Sequence, residues 1–214
     1  FSVLATTYGK CEGTAGYDGR ADFNGDSCID LLDFSRLASN FGRVGPITTT
    51  GVAEAQEPGL LTADPVEVVV DPLQSNVQVG DTFTVSIKVQ SGAQLVDGAQ
   101  VSLDFDPTKL KVKSLHGNTT AFPSVLLNTF DNTSGQIDYA AGALSNFPNG
   151  TVELVEIEFE AIGGTTSTPL TFHYGQPSRT TIVTYGGDSV LTGDQGGLVK
   201  IDFPFKVFLP NVIR

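Results

Sequence analysis

The 214-residue chain has no tryptophan and no methionine, only two cysteines and only two histidines. Basic residues are scarce, with 12 Lys plus Arg against 24 Asp plus Glu. The resulting net charge of −12 argues against nucleic acid or an anionic membrane as partner and suits cation binding. No apolar run approaches the roughly 20 residues that a membrane span requires. No GxSxG, HExxH or glycine-rich phosphate loop is present. His116 and His173 stand alone, and His173 alternates with Phe172 and Tyr174, which places it on a wet face. Glu156, Glu158 and Glu160 suggest paired carboxylates, but at period two on one strand they read as a solvated face. These absences leave little chemistry for an enzyme to use.

What is present falls into three compositional parts and a tail. Residues 1–43 carry a repeat. "FSVLATTYGK" at residues 1–10 matches "FSRLASNFGR" at 34–43, with Phe, Ser, Leu, Ala and Gly identical. Phe34, Leu37, Ala38 and Phe41 stand at i, i+3, i+4 and i+7, as do Phe1, Leu4, Ala5 and Tyr8, so each copy predicts a short amphipathic helix. Gly9 and Gly42 are the C-terminal stops. Two such helices can bury their stripes against each other, and neither is stable alone. Residues 44–64 lack periodicity and hold Pro46, three consecutive threonines and Pro58, which reads as a linker. Its flexible span of ~25 Å allows docking within one chain and exchange between chains alike. The terminal residues 205–214 are apolar and too short to span a membrane; they suit a last strand, an interface segment or a sorting tail.

Residues 22–33 read "DFNGDSCIDLLD". Asp22, Asn24, Asp26, Asp30 and Asp33 occupy loop positions 1, 3, 5, 9 and 12, the spacing at which a tight loop turns oxygens inward around calcium. The position-7 ligand is a backbone carbonyl, which Cys28 supplies, and Ile29 at position 8 points to the core. Ser27 stands at position 6, where glycine is usual because the backbone there often has positive φ. The plainer alternative is an acidic turn that caps a helix through Asp30 or Asp33.

"DFNGDSCIDLLDFSRLASNFG" resembles the calcium-binding repeat of dockerin modules, which place Asp at position 12. Dockerins carry two such repeats, so the resemblance implies that residues 1–10 form the helix of a first repeat whose loop precedes Phe1. The resemblance thus implies a partial dockerin. Leu31 and Leu32 occupy positions where many dockerins carry a Ser-Thr recognition pair, so their partner preference does not transfer. Cys11 and Cys28 belong to this unit. A disulfide between them would contribute ~3 kcal/mol by the chain-entropy model. Two buried thiols or a redox pair are the alternatives; the absence of CxxC speaks against redox, and the extracellular module type favours the bridge.

From residue 65 to 204 the pattern is alternation. Phe83, Val85, Ile87 and Val89 alternate with polar neighbours, as do Val101, Leu103 and Phe105, then Ile157, Phe159 and Ala161, then Val199, Ile201 and Phe203. Asp106-Pro107, Ser134-Gly135, Asn149-Gly150 and Gly186-Gly187 are turn signals. Nine to eleven short strands without a long helix predict a mostly β fold, a two-sheet sandwich. "NVQVGDTFTVSIKVQSG", "VDGAQVSLDFDPTKLKVKSL" and "GTVELVEIEFEAIG" resemble the cohesin module, a jelly-roll sandwich. That resemblance implies a non-catalytic scaffolding chain, secreted or cell-surface and bacterial or archaeal. Its Ca2+-dependent protein partner would be a dockerin or cohesin module, with another copy of this chain as one choice. The same sandwich class includes carbohydrate-binding modules. Those usually stack sugars on exposed aromatics, whereas this chain has no Trp, and of Tyr139, Tyr174 and Tyr185 the parity of Tyr174 with Leu170 and Phe172 points it to the core. Carbohydrate is therefore the less favoured ligand. Asn118, Asn132 and Asn149 begin N-x-Ser/Thr triplets, which matter only in a glycosylating host.

Overall fold

The computed structural model describes residues 1–43, 65–175 and 179–204. The predicted linker 44–64 and the tail 205–214 lie outside the described residues.

At the N-terminus, α1 (Ser2–Thr7), β1 (Lys10–Cys11), β2 (Cys28–Ile29) and α2 (Leu31–Asn40) form a small unit. Both helices stop where glycine follows: Gly9 and Gly42 take φ of 77° and 75°, a left-handed backbone that side chains resist. The antiparallel β1–β2 pair sets Cys11 directly opposite Cys28.

Among the described residues fifteen strands follow: β3 (Glu67–Asp71), β4 (Gln74–Gln78), β5 (Thr82–Gln90), β6 (Gly98–Asp104), β7 (Leu110–Gly117), β8 (Ser124–Asp131), β9 (Gln136–Gly142), β10 (Thr151–Ala161), β11 (Thr165–Phe172), β12 (Tyr174–Gly175), β13 (Arg179–Thr180), β14 (Ile182–Tyr185), β15 (Asp188–Ser189), β16 (Gly193–Gln195) and β17 (Gly197–Asp202). Eleven are four residues or longer. One sheet has the order β16-β3-β5-β10-β7. The other runs β15-β14-β6-β11-β17-β4, with β9 also paired to β6 and β8 to β9. Most pairings are antiparallel; β16 with β3 and β17 with β4 are parallel.

Alternation decides what each sheet buries. Val85, Ile87 and Val89 of β5 and Ile157, Phe159 and Ala161 of β10 face Ala99, Val101 and Leu103 of β6 and Ile137, Tyr139 and Ala141 of β9 in one core. Burying a side chain of this size is worth roughly 1.5–3 kcal/mol, so the inter-sheet layer is the main source of stability. On the opposite side of the five-stranded sheet, Ser86 donates to Glu153, Ser114 to Glu158 and Lys113 to Glu160. Glu153, Glu158 and Glu160 of β10 thus form a hydrogen-bonded outer face.

Two alternation readings fail at strand ends. Tyr174 does not enter the core; it is 54% exposed and its hydroxyl donates to Asp194. The reason is that β11 ends at Phe172 and His173 breaks the alternation before β12 begins. Phe203 likewise lies beyond β17 and is 72% exposed, whereas Val199 and Ile201 are buried as expected.

Candidate functional site

In an antiparallel sheet with one wet face, every second residue of a strand should be exposed. Strand β6 departs from this, since Gly98 through Leu103 are all buried. Ala99, Val101 and Leu103 face the inter-sheet core. Gly98, Gln100 and Ser102 face the other way, so something covers the outer side of this sheet. Over Ser102 it is the β12–β13 region: the hydroxyl of Ser102 donates to the Thr180 carbonyl, and that of Thr181 to the Ser102 carbonyl. Over Gly98 and Gln100 it is the N-terminal unit.

Helix α2 makes this contact with Leu31, Phe34, Ser35 and Ala38, at i, i+3, i+4 and i+7. The register differs from the predicted stripe. Leu37 is only partly buried and Phe41 is 52% exposed, because α2 packs against a sheet as well as against α1. Leu126, Leu144, Phe147 and Ile182 of the sandwich pack around the same apolar cluster as Leu4, Ile29, Leu31 and Phe34. From α1, Leu4 is buried, and the Phe1 ring meets Phe34 edge-on at 6.3 Å.

Two glycines let the helix approach. A Cβ on Gly98 would lie 2.9 Å from Leu31 Cδ1, and one on Gly142 would lie 2.1 Å from Phe34 Cε1. Any side chain at Gly142 would therefore push the Phe34 ring off the sheet.

The polar contacts are equally specific. Ser35 Oγ donates to Asp97 Oδ2 at 2.7 Å and accepts from the Gly187 amide at 2.7 Å. Asp97 also accepts from the Thr184 hydroxyl and the Gly186 amide, each at 2.8 Å. Burial pushes the Asp97 carboxyl above its ordinary pKa, and these hydrogen bonds offset only part of the rise. Tyr8 donates to Gln100 Oε1 at 2.6 Å; burial first, then the charges of Asp30 and Asp33, raise its phenol well above the usual range. Asp97, Gly98, Gln100 and Gly142 escaped sequence reasoning. The one signal in the chain was Ser35 and Ala38, two small residues on the face that also carries Leu31 and Phe34.

The predicted calcium loop lies at the N-terminal end of α2. Asp22 accepts from the amides of Gly25 and Ser27 and from the Tyr17 hydroxyl. Asn24 Oδ1 accepts from the Asp26 amide, and Asp26 Oδ1 from the Cys28 amide. Asp33 takes the amides of Phe23 and Asn24 on one oxygen and that of Asp30 on the other. Asp30 caps α2 through the Leu32 amide, so the capping role considered from sequence is present. Ser27 has φ 71°, the left-handed value expected at position 6, and Ile29 is fully buried.

Among the described residues, no three His, Cys, Asp or Glu side chains converge as a metal cage. The donor set nonetheless fits a hard cation, since all five side chains offer oxygen. Asp33 at position 12 is fully buried, desolvation lifts its pKa to about 6, and three backbone amides already bond its two oxygens. The two sulfurs of Cys11 and Cys28 lie 2.02 Å apart, a disulfide that ties the loop to the segment after α1.

The family model of the cohesin domain matches residues 66–176, the span from β3 to just past β12. The chain belongs to the cohesin family. A cohesin domain is a non-catalytic scaffolding module. Solved cohesins share the sandwich at low sequence identity. A cohesin from Clostridium acetobutylicum is 21% identical with a TM-score of 0.54, over 65% of this chain and 92% of that one. The structure of a type I cohesin–dockerin complex from Clostridium thermocellum aligns at 11% identity and a TM-score of 0.55, over 66% and 96%. The cohesin of a Clostridium perfringens family 33 glycoside hydrolase aligns at 14% and 0.55, over 66% and 99%. No curated protein matches the sequence. Residues 1–43 lie outside the cohesin match. Among the described residues, no helix is long and apolar enough to cross a membrane.

Proposed function

We propose that this chain is a calcium-dependent protein–protein interaction component of cohesin–dockerin type, working outside the cell or at its surface. The observation that carries this reading is the seat of α2: an amphipathic helix lies on a cohesin sheet, with Leu31 and Phe34 over glycines and Ser35 bonded to Asp97. A sheet face that accepts a helix this closely suits the helix pair of a dockerin. The solved relative from Clostridium thermocellum is itself a complex with a dockerin. The N-terminal unit is then a dockerin-type repeat. Calcium would be held by Asp22, Asn24, Asp26, the Cys28 carbonyl, Asp30 and Asp33, and would neutralise carboxylates at the start of α2. A cystine in so small a unit favours an oxidising compartment.

The test is a pull-down with the full chain, both wild type and Phe34→Glu. Calcium-loaded dockerin modules are offered in parallel with insoluble cellulose, chitin and xylan. The expected result is dockerin retained by at least one form and no polysaccharide retained by either. Polysaccharide retained with no dockerin would replace this reading with a carbohydrate-binding one.

A further inference from the structure

The outer surfaces of the two sheets differ. That of the five-stranded sheet carries hydrogen-bonded glutamates, with Glu153, Glu158 and Glu160 tied to Ser86, Ser114 and Lys113. Around β6 the surface is recessed, built from apolar Gly98, Ala140, Gly142, Ile182 and Leu126 with buried Gln100 and Thr184 among them and a buried carboxylate, Asp97. Left bare, it would expose a contiguous apolar patch and an Asp97 bonded only to the sandwich's own Thr184 and Gly186. In this structure the chain's own residues fill it: Leu31 above Gly98, Phe34 above Gly142, Ser35 on Asp97, Tyr8 on Gln100.

We propose that the N-terminal unit is a built-in plug of the sandwich's helix-receiving face, which an outside helix pair enters only by displacing α2. The inference rests on the reading of that face as the partner site. Two occupants cannot share it. Gly98 and Gly142 each leave room for one side chain, and the Asp97 oxygens are already engaged by Ser35, Thr184 and Gly186. The partner's apparent affinity is therefore its intrinsic affinity reduced by the fraction of chains whose plug has left. The plug also sets a recognition pattern. A displacing helix must offer an aliphatic, an aromatic and a small hydroxyl side chain at the spacing of Leu31, Phe34 and Ser35.

The probe is a calcium-loaded two-repeat dockerin module whose helix carries Leu, Phe, Ser and Ala at the spacing of residues 31, 34, 35 and 38. It is titrated against full-length wild type, Phe34→Glu, Leu31→Glu and the control Asn40→Glu, whose position is exposed on α2. These substitutions lie outside the sandwich, so the receiving sheet is unaltered. A gain of about tenfold or more in affinity for Phe34→Glu and Leu31→Glu, with wild type and Asn40→Glu alike, is the expected result. Equal binding to all four chains overturns the plug and leaves the helix-receiving face standing. Binding to none overturns the plug together with the face on which it depends.

Discussion

Ser35 on α2 and Asp97 at the edge of β6 are 62 residues apart in sequence and share a hydrogen bond of 2.7 Å. Both are wholly buried. Asp97→Ala leaves the Ser35 hydroxyl and the Gly186 amide short of an acceptor, while the Thr184 hydroxyl keeps the Gly98 carbonyl. A buried donor without a partner costs about 1–3 kcal/mol. Chemical denaturation of the full chain should show this loss in the release of the N-terminal unit, while the sandwich transition moves less.

The same carboxylate gives the docking a pH dependence. Burial raises the Asp97 pKa in the docked state, so that state binds its proton more tightly than the undocked one does. Docking should therefore strengthen as pH falls into the ordinary carboxylate range and weaken as pH rises through the window just above it. The groups facing Asp97 are the neutral Ser35, Thr184 and Gly186; the charged neighbour on α2 is Arg36, whose side chain lies against Gly187. Asp97→Asn removes this ionisable group and its share of the slope, and leaves the share of the raised carboxyls Asp30 and Asp33 in the N-terminal unit.

Phe34 is the largest apolar side chain that α2 buries. Phe34→Ala should cost about 3–5 kcal/mol, because the ring above Gly142 is lost and the rigid strand cannot close the gap. Thermal unfolding followed by circular dichroism should then show the helical signal melting before the sheet signal.

Reducing the Cys11–Cys28 bridge should destabilise the N-terminal unit by ~3 kcal/mol by the chain-entropy model. Non-reducing mass spectrometry of aerobically purified protein should find both thiols oxidised. Two free thiols would count against the bridge.

Calcium should stabilise the same unit. Isothermal titration should give one site per chain, lost in Asp22→Ala. At a hundredfold excess over its dissociation constant the ion should add about 2.7 kcal/mol. An unchanged melting profile of the helices after chelation would remove calcium from the proposal.

Much of the sandwich was legible in the chain because period-two alternation is a local signal, and Val85–Ile87–Val89 or Ile157–Phe159–Ala161 needs no partner to be read. Tyr174 was misread because β11 ends at Phe172 and His173 stands between it and β12, and nothing local marks that break. The helix repeat was legible, yet the buried face of α2 turned from Leu37 and Phe41 toward Leu31 and Ser35. That turn depends on a sheet more than fifty residues downstream. The recess at Gly98 and Gly142 was illegible for the same reason: it exists only once β6 and β9 pair Gly98 with Gly142. Long-range pairing, which no window of sequence contains, creates the docking face.

Size-exclusion chromatography of the full chain in calcium, after cleavage at a protease site inserted between Thr49 and Thr50, tests most directly that the helical unit occupies the cohesin face. The N-terminal fragment should co-elute with the sandwich in the wild type and separate from it in Phe34→Glu. A wild-type fragment that elutes alone would contradict the docking of α2 on this sheet.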